Sequence, residues 1–227
     1  MNSSVITFPG SNCDRDMDVA LKKFGFKNKM VWHDDVELPK SDLVVLPGGF
    51  SYGDYLRCGS MASKSRIMQS VINFTKRGGK VMGICNGFQI LVESGLLPGV
   101  LLRNKYLEFI CKNVFVKINN KENSYFKNLK KNILEFHIAH NEGNYFCSNE
   151  QIKKIDDNNQ VALYYTDKDG KIGEDNNPNG SIKNIAGIFN KEKNILGMMP
   201  HPERMIDPAL SGEDGSIFFQ NLINNLK

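Results

Sequence analysis

The sequence lacks the features that mark several broad protein classes. Its five cysteines, an odd number, are scattered at 13, 58, 85, 111 and 147, with no CxxC pair and no Cys/His spacing suited to zinc. Neither a disulfide framework nor a structural metal site is expected from that pattern. No apolar run is long enough to cross a bilayer, and MNSSVITFPG at the start has no basic segment ahead of an apolar one. No membrane span and no secretory signal are therefore expected. Charge of one sign is also scarce. The net excess is +4 and comes mostly from lysines dispersed in Lys/Asn-rich stretches such as 117–131, which predicts no nucleic-acid partner. Tryptophan occurs once, at Trp32, where the end of a predicted strand suggests a core position. There is no internal repeat, and the Asn/Gly/Pro-rich stretch 174–180 is too short for a linker. The remaining reading is a single domain over 1–227, cytoplasmic, with free thiols.

The apolar pattern changes character along the chain. Short β-like runs at 4–8, 29–32, 43–46 and 81–84 alternate with helical spacing at 14–24, 61–76 and 87–93. Arg77-Gly78-Gly79 reads as a C-cap to the second helix. Strands alternating with helices predict a parallel sheet covered on both faces. Beyond residue 100 the strand-like runs 114–118, 134–139, 161–165, 185–189 and 196–199 follow one another between polar loops. A last helix is expected over 215–226, with Ile217, Phe218, Leu222, Ile223 and Leu226 turned inward.

The sharpest local signal is Gly83-Ile84-Cys85-Asn86-Gly87, where a predicted strand meets a predicted helix. This is the nucleophile-elbow spacing with cysteine in place of serine. So tight a turn forces the nucleophile into a strained conformation and needs glycine two residues to either side. It also sets the thiol near the positive end of the following helix, a position that favours thiolate. The same residues also read as a buried cysteine beside two glycines that simply turn the chain. A nucleophilic cysteine needs a base, and there are four histidines. His33 sits in an acidic turn and looks like surface, while His137 and His140 share a strand-like run. His201 lies in Pro200-His201-Pro202-Glu203-Arg204, directly after a strand candidate. In extended backbone residues i and i+2 point the same way, so Glu203 is placed to orient His201. A proline-stiffened loop with a solvent-exposed histidine is the alternative. For the oxyanion of acyl transfer, Asn86 offers one backbone N–H and Pro47-Gly48-Gly49-Phe50 another.

With these pieces in chain order, the sequence resembles the class I (triad) glutamine amidotransferases. Pro47-Gly48-Gly49-Phe50-Ser51-Tyr52-Gly53-Asp54-Tyr55-Leu56-Arg57, Gly83-Ile84-Cys85-Asn86-Gly87-Phe88-Gln89 and Met199-Pro200-His201-Pro202-Glu203-Arg204 narrow the resemblance. They look like the family of glutaminase subunits of phosphoribosylformylglycinamidine synthases, as do Pro9-Gly10-Ser11-Asn12-Cys13-Asp14 and the segment 175–181. The resemblance implies a flavodoxin-like three-layer α/β/α sandwich with a mostly parallel central sheet. It implies Cys85 as nucleophile, His201 as general base and acid, and Glu203 as orienting carboxylate. Gly49 and Asn86 would form the oxyanion hole, and Gly48, Phe50 and Gln89 would contact glutamine. No metal or cofactor is implied in this chain, since ATP and Mg²⁺ would serve a large synthetase subunit, with a small third subunit as a further partner. One segment departs from the family: His140-Asn141-Glu142-Gly143-Asn144 lacks a glycine and a following arginine, and its His140 and Glu142 read either as lining the site or as part of a structural turn. Three other readings stay open: an amidotransferase of another pathway, a non-catalytic relative, and a stand-alone cysteine hydrolase. Cys13 and Cys58 read as structural or interfacial with no base nearby, and Cys111 and Cys147 as buried or half-buried.

Overall fold

Strands from both halves of the chain build one main sheet, and the functional residues gather at its carboxyl edge. The computed structural model describes residues 1–226. The first run comprises β1 (Asn2–Thr7), β2 (Lys27–Trp32), β3 (Leu43–Leu46) and β4 (Lys80–Ile84). Its helices are α1 (Asp14–Lys23), α2 (Arg66–Lys76) and α3 (Asn86–Glu93). The second run holds β5 (Val100–Leu102), β6 (Ile110–Ile118), β7 (Ile133–His140), β8 (Asn144–Phe146), β9 (Val161–Thr166), β10 (Ile185–Phe189) and β11 (Ile195–Met198). With it come α4 (Asn149–Asp157) and α5 (Asp214–Leu226).

The main sheet has the order β2-β1-β3-β4-β11-β10-β9-β6-β7, and β5 and β8 form a separate pair. Ladders from β2 through β4 to β11 are parallel, and those from β11 out to β7 are antiparallel. Even so, only β10 and β6 run against the common direction, so the sheet is mixed but mostly parallel, as expected. The crossover β1-α1-β2 moves towards one edge and β3-α2-β4 towards the other. Right-handed crossovers therefore put α1 and α2 on opposite faces. That reversal opens a crevice past the carboxyl ends of β1 and β3, the usual ligand position in such sheets. Ser11 and Gly49 form an isolated bridge there.

Several boundaries differ from expectation. The helix expected over 61–76 begins only at Arg66, because Ser65 is extended (φ −60°, ψ 150°) after a short 3₁₀ turn, Ala62–Lys64. The Ser65 hydroxyl is bonded to Tyr52 Oη (3.2 Å) and caps nothing. At the other end the Arg77-Gly78-Gly79 cap is present: Gly79 N–H donates to Phe74 O (3.0 Å) and Gly78 N–H to Thr75 O (2.9 Å). Helix α4 was not anticipated, although Ser148 and Gln151 form a reciprocal capping box ahead of buried Ile152 and Ile155. In α5 the inward face is Phe218, Phe219, Leu222 and Ile223, while Ile217 is exposed. Trp32 is no core residue. It lies 48% exposed on edge strand β2, its ring against His33. Cys111 is exposed as well, on β6 beside the His137 ring (3.4 Å), whereas Cys147 is buried.

Candidate active site

The elbow forms where β4 runs into α3. Cys85 has φ +51° and ψ −106°, a combination that L-residues hold only under constraint, at a cost of about 1–3 kcal/mol. The flanking glycines explain why it persists. A Cβ on Gly83 would come within 2.6 Å of the Gly87 carbonyl oxygen, and one on Gly87 would overlap the Leu46 carbonyl. Cys85 N–H donates to Met198 O (2.8 Å), tying the nucleophile to β11. Its thiol is buried, with Sγ 3.7 Å from Ala139 O.

The chain leaves β11 through Met199-Pro200 and brings His201 back across this point. His201 N–H donates to His137 O (2.8 Å), so the base is pinned to β7. Its Nδ1 lies 2.6 Å from Glu203 Oε1, and both side chains are essentially inaccessible. The pairing is as expected, but its backbone origin is different. Pro202–Arg204 is a 3₁₀ turn capped by extended His201, so Glu203 returns beneath the ring by turning rather than by strand alternation. Burial opposes charge on His201. The negative charges of Glu203 and Cys85 outweigh it and hold the imidazole well above the usual histidine range. Nε2 has no hydrogen-bond partner among the described residues.

The Gly48-Gly49 segment closes another side. Gly48 O accepts from Cys13 N–H (3.2 Å), and Phe50 N–H donates to Gly10 O (3.0 Å). Gly49 has φ +150°, and a Cβ on Gly48 would stand 2.6 Å from His201 Cε1. The structure thus brings together Cys85, His201, Glu203, Gly48, Gly49 and Asn86. Phe50 is different, being 43% exposed. Gln89 is buried and both its ends are taken: Oε1 accepts from Asn86 Nδ2 (2.8 Å) and Nε2 donates to Glu142 O (2.7 Å). A contact with glutamine would use the second Nε2 hydrogen or the second Oε1 lone pair.

Three further residues lie close to this centre. Cys13 is not remote from a base, since its Sγ accepts from Arg204 Nη2 (3.0 Å) and lies within 4.8 Å of donor atoms of both His201 and Glu203. These three are the described residues whose donor atoms converge as a metal would require. The Arg204 cation and the His201–Glu203 bond already occupy them. His140, at the end of β7, is buried. Its Nδ1 meets Asn104 Oδ1 (3.0 Å), which also accepts from Gly143 N–H (3.1 Å). Burial drives His140 down to about 3, so its ring is neutral at neutral pH. Cys58 is the third. Burial, with Asp54 and Glu142 next to it, pushes its thiol far up, and burial raises Asp54 as well. Nothing in the sequence joins Asn104 to His140. The Cys13–His201 proximity was hinted at only by the shared resemblance of their two segments.

The chain matches the CobB/CobQ-like glutamine amidotransferase domain over residues 1–212. It is 86% identical over 227 residues to the phosphoribosylformylglycinamidine synthase subunit PurQ of Pelagibacter ubique, covering 100% of both chains. Against the subunit of the same description from Zymomonas mobilis it is 50% identical over 226 residues, 98% of each chain. Among solved structures it overlays a chain of PurLQS from Thermotoga maritima with a TM-score of 0.87 and 40% identity, covering 100% of this chain and 99% of that one.

Proposed function

The chain belongs to the CobB/CobQ-like glutamine amidotransferase domain family, and from that premise we propose how it works. It is a glutaminase that supplies ammonia for making formylglycinamidine ribonucleotide in purine biosynthesis, acting with a large synthetase subunit and a small third subunit. One observation carries the mechanism: His201, paired with Glu203, follows β11 directly, and β11 lies alongside β4, which ends in the strained Cys85.

Cys85 thiolate attacks the side-chain amide carbon of glutamine, and the Gly49 and Asn86 N–H groups receive the oxyanion. Protonated His201 gives its proton to the departing nitrogen, releasing ammonia and leaving a γ-glutamyl thioester. Water then attacks the thioester as His201 takes a proton from it, which frees glutamate and restores the thiolate–imidazolium pair. The raised proton affinity of His201 fits its part as the proton donor to the departing nitrogen. Glu203 holds Nδ1–H and so fixes which nitrogen faces the chemistry. ATP and Mg²⁺ act on the partner subunit. The five free cysteines fit a reducing cytoplasm, and the run of one sheet from residue 2 to residue 198 fits a single domain over 1–227.

The test is glutamate release from glutamine, with and without the large subunit and ATP, for wild type and Cys85→Ala. Partner-stimulated release that Cys85→Ala abolishes is the expected result. Release that survives Cys85→Ala would overturn the assignment of the nucleophile, and release indifferent to the partner would favour a free-standing hydrolase.

A further inference from the structure

Asn86 and Gln89 are buried carboxamides on the first turn of α3, and their hydrogen bonds run in one direction. Ser51 N–H donates to Asn86 Oδ1 (3.1 Å). That bond fixes the orientation of the amide, so Nδ2 must be the end that donates to Gln89 Oε1 (2.8 Å). The other end of Gln89 is then a donor and meets the Glu142 carbonyl (2.7 Å). A second Asn86 Nδ2 hydrogen has Asp54 Oδ1 at 3.5 Å. One side chain on the elbow thereby touches both the segment after β3 and, through Gln89, the loop after β7.

The segment carrying Gly49 is held at four points. Gly48 O, Phe50 N and Tyr52 N are tied to Cys13, Gly10 and Pro9, residues that follow β1. Of the four, only Ser51 N–H to Asn86 Oδ1 joins the segment to the helix that follows the nucleophile. Gly49, at φ +150°, bridges Ser11 and packs against the backbone of Ser11 and Asn12, so it moves with the residues after β1. β3–β4 pairing and the close approach of Gly87 to Leu46 hold the end of β3 against the elbow, and the bond to Asn86 Oδ1 extends that hold to the segment carrying the Gly49 N–H. We infer that the Asn86 side chain, distinct from its backbone amide, is a positioning residue for the glutaminase reaction. It sets the Gly49 segment against Cys85 through Ser51 and is itself held in register by Gln89 and the Glu142 carbonyl. The inference rests on the proposed function.

Asn86→Asp and Asn86→Leu test it in the complex with the synthetase. A protonated carboxyl at this position reproduces one acceptor and one donor. An ionised one offers no donor to Gln89 and sets a second negative charge near Asp54. Relative to wild type at each pH, kcat of Asn86→Asp should fall roughly 10²-fold near pH 8 and recover to within about tenfold near pH 5.5, with KM for glutamine little changed. Asn86→Leu should lose about as much at every pH. The Ser51 amide proton shift in Asn86→Asp should titrate with the same midpoint, and that readout needs no turnover. A wild-type kcat in Asn86→Leu would overturn the inference, as would a pH profile of Asn86→Asp parallel to wild type, even if the Ser51 amide titrates. Loss of turnover in Cys85→Ala tests the functional reading separately, so failure of one is told apart from failure of the other.

Discussion

His201 after β11 and His140 at the end of β7 are both almost wholly buried, at 1% and 3% exposure, yet their protonation diverges. At His201 the partner is a carboxylate, and the ring is held charged despite its burial. At His140 the partner is the neutral Asn104 carboxamide, and burial, aided by the nearby His201 charge, keeps the ring neutral. Asn104 Nδ2 donates to Glu108 O (2.8 Å) and His140 O (2.9 Å), so its Oδ1 must be the acceptor, and His140 carries its proton on Nδ1. One imidazole can therefore move a proton, while the other is a fixed donor that shapes the wall. Burial alone does not decide the role of a histidine. The partner on the second nitrogen does.

Changing the partners should break the contrast. Glu203→Gln gives His201 a neutral partner like that of His140, so its proton affinity should drop below the ordinary histidine range. Glutamate release should fall about 10³- to 10⁴-fold and still exceed that of Cys85→Ala; imidazole NMR titration and steady-state rates measure both. Next in size is an effect on stability. His140 folds neutral with a value of about 3, so the unfolded chain takes up a proton that the folded chain refuses. Stability should then fall as pH drops from about 6.5 towards 3, by up to about 1.4 kcal/mol per pH unit. His201 acts in another window. Its contribution is complete below about pH 6.5 and is lost as pH rises through its raised folded value. Urea unfolding against pH should show a flatter acid limb in His140→Gln, and an unchanged limb would remove His140 as its source.

Asn104→Asp runs the contrast the other way. It keeps the acceptor for His140 Nδ1–H but loses the donor to two carbonyls. The expected outcome is a loss of about 2 kcal/mol in urea unfolding together with an upward shift of the His140 titration. The smallest effect belongs to His137, which gives His201 only its backbone carbonyl and leaves its ring half-exposed on the outer face of β7. His137→Gln should leave glutamate release within about twofold of wild type.

These residues also mark how far the sequence could be read. The elbow was legible because its constraint is local: two glycines two residues from Cys85 state the turn by themselves. His201 and Glu203 were legible for the same reason, although the backbone that joins them turned out to be a 3₁₀ turn. Asn104 and His140 are 36 residues apart and meet only once β5, β7 and β8 are in place, so no spacing announces them. Trp32 was misplaced because periodicity cannot tell an edge strand from a central one. That distinction belongs to strand order, in which β2 comes last on its side. Helix α4 was legible in Ser148 and Gln151 and was passed over among polar residues.

The seat of β11 has a consequence for how the protein is made. It pairs with β4 along Ile195↔Val81 to Met198↔Ile84, although more than a hundred residues separate them. Chains emerge from the ribosome amino end first, so β3, β4 and α3 are all synthesised while the segment bearing His201 has yet to be translated. The nascent polypeptide carries its thiol without this proton acceptor until the segment after β11 has been made, and the arrival of one late strand arms the centre.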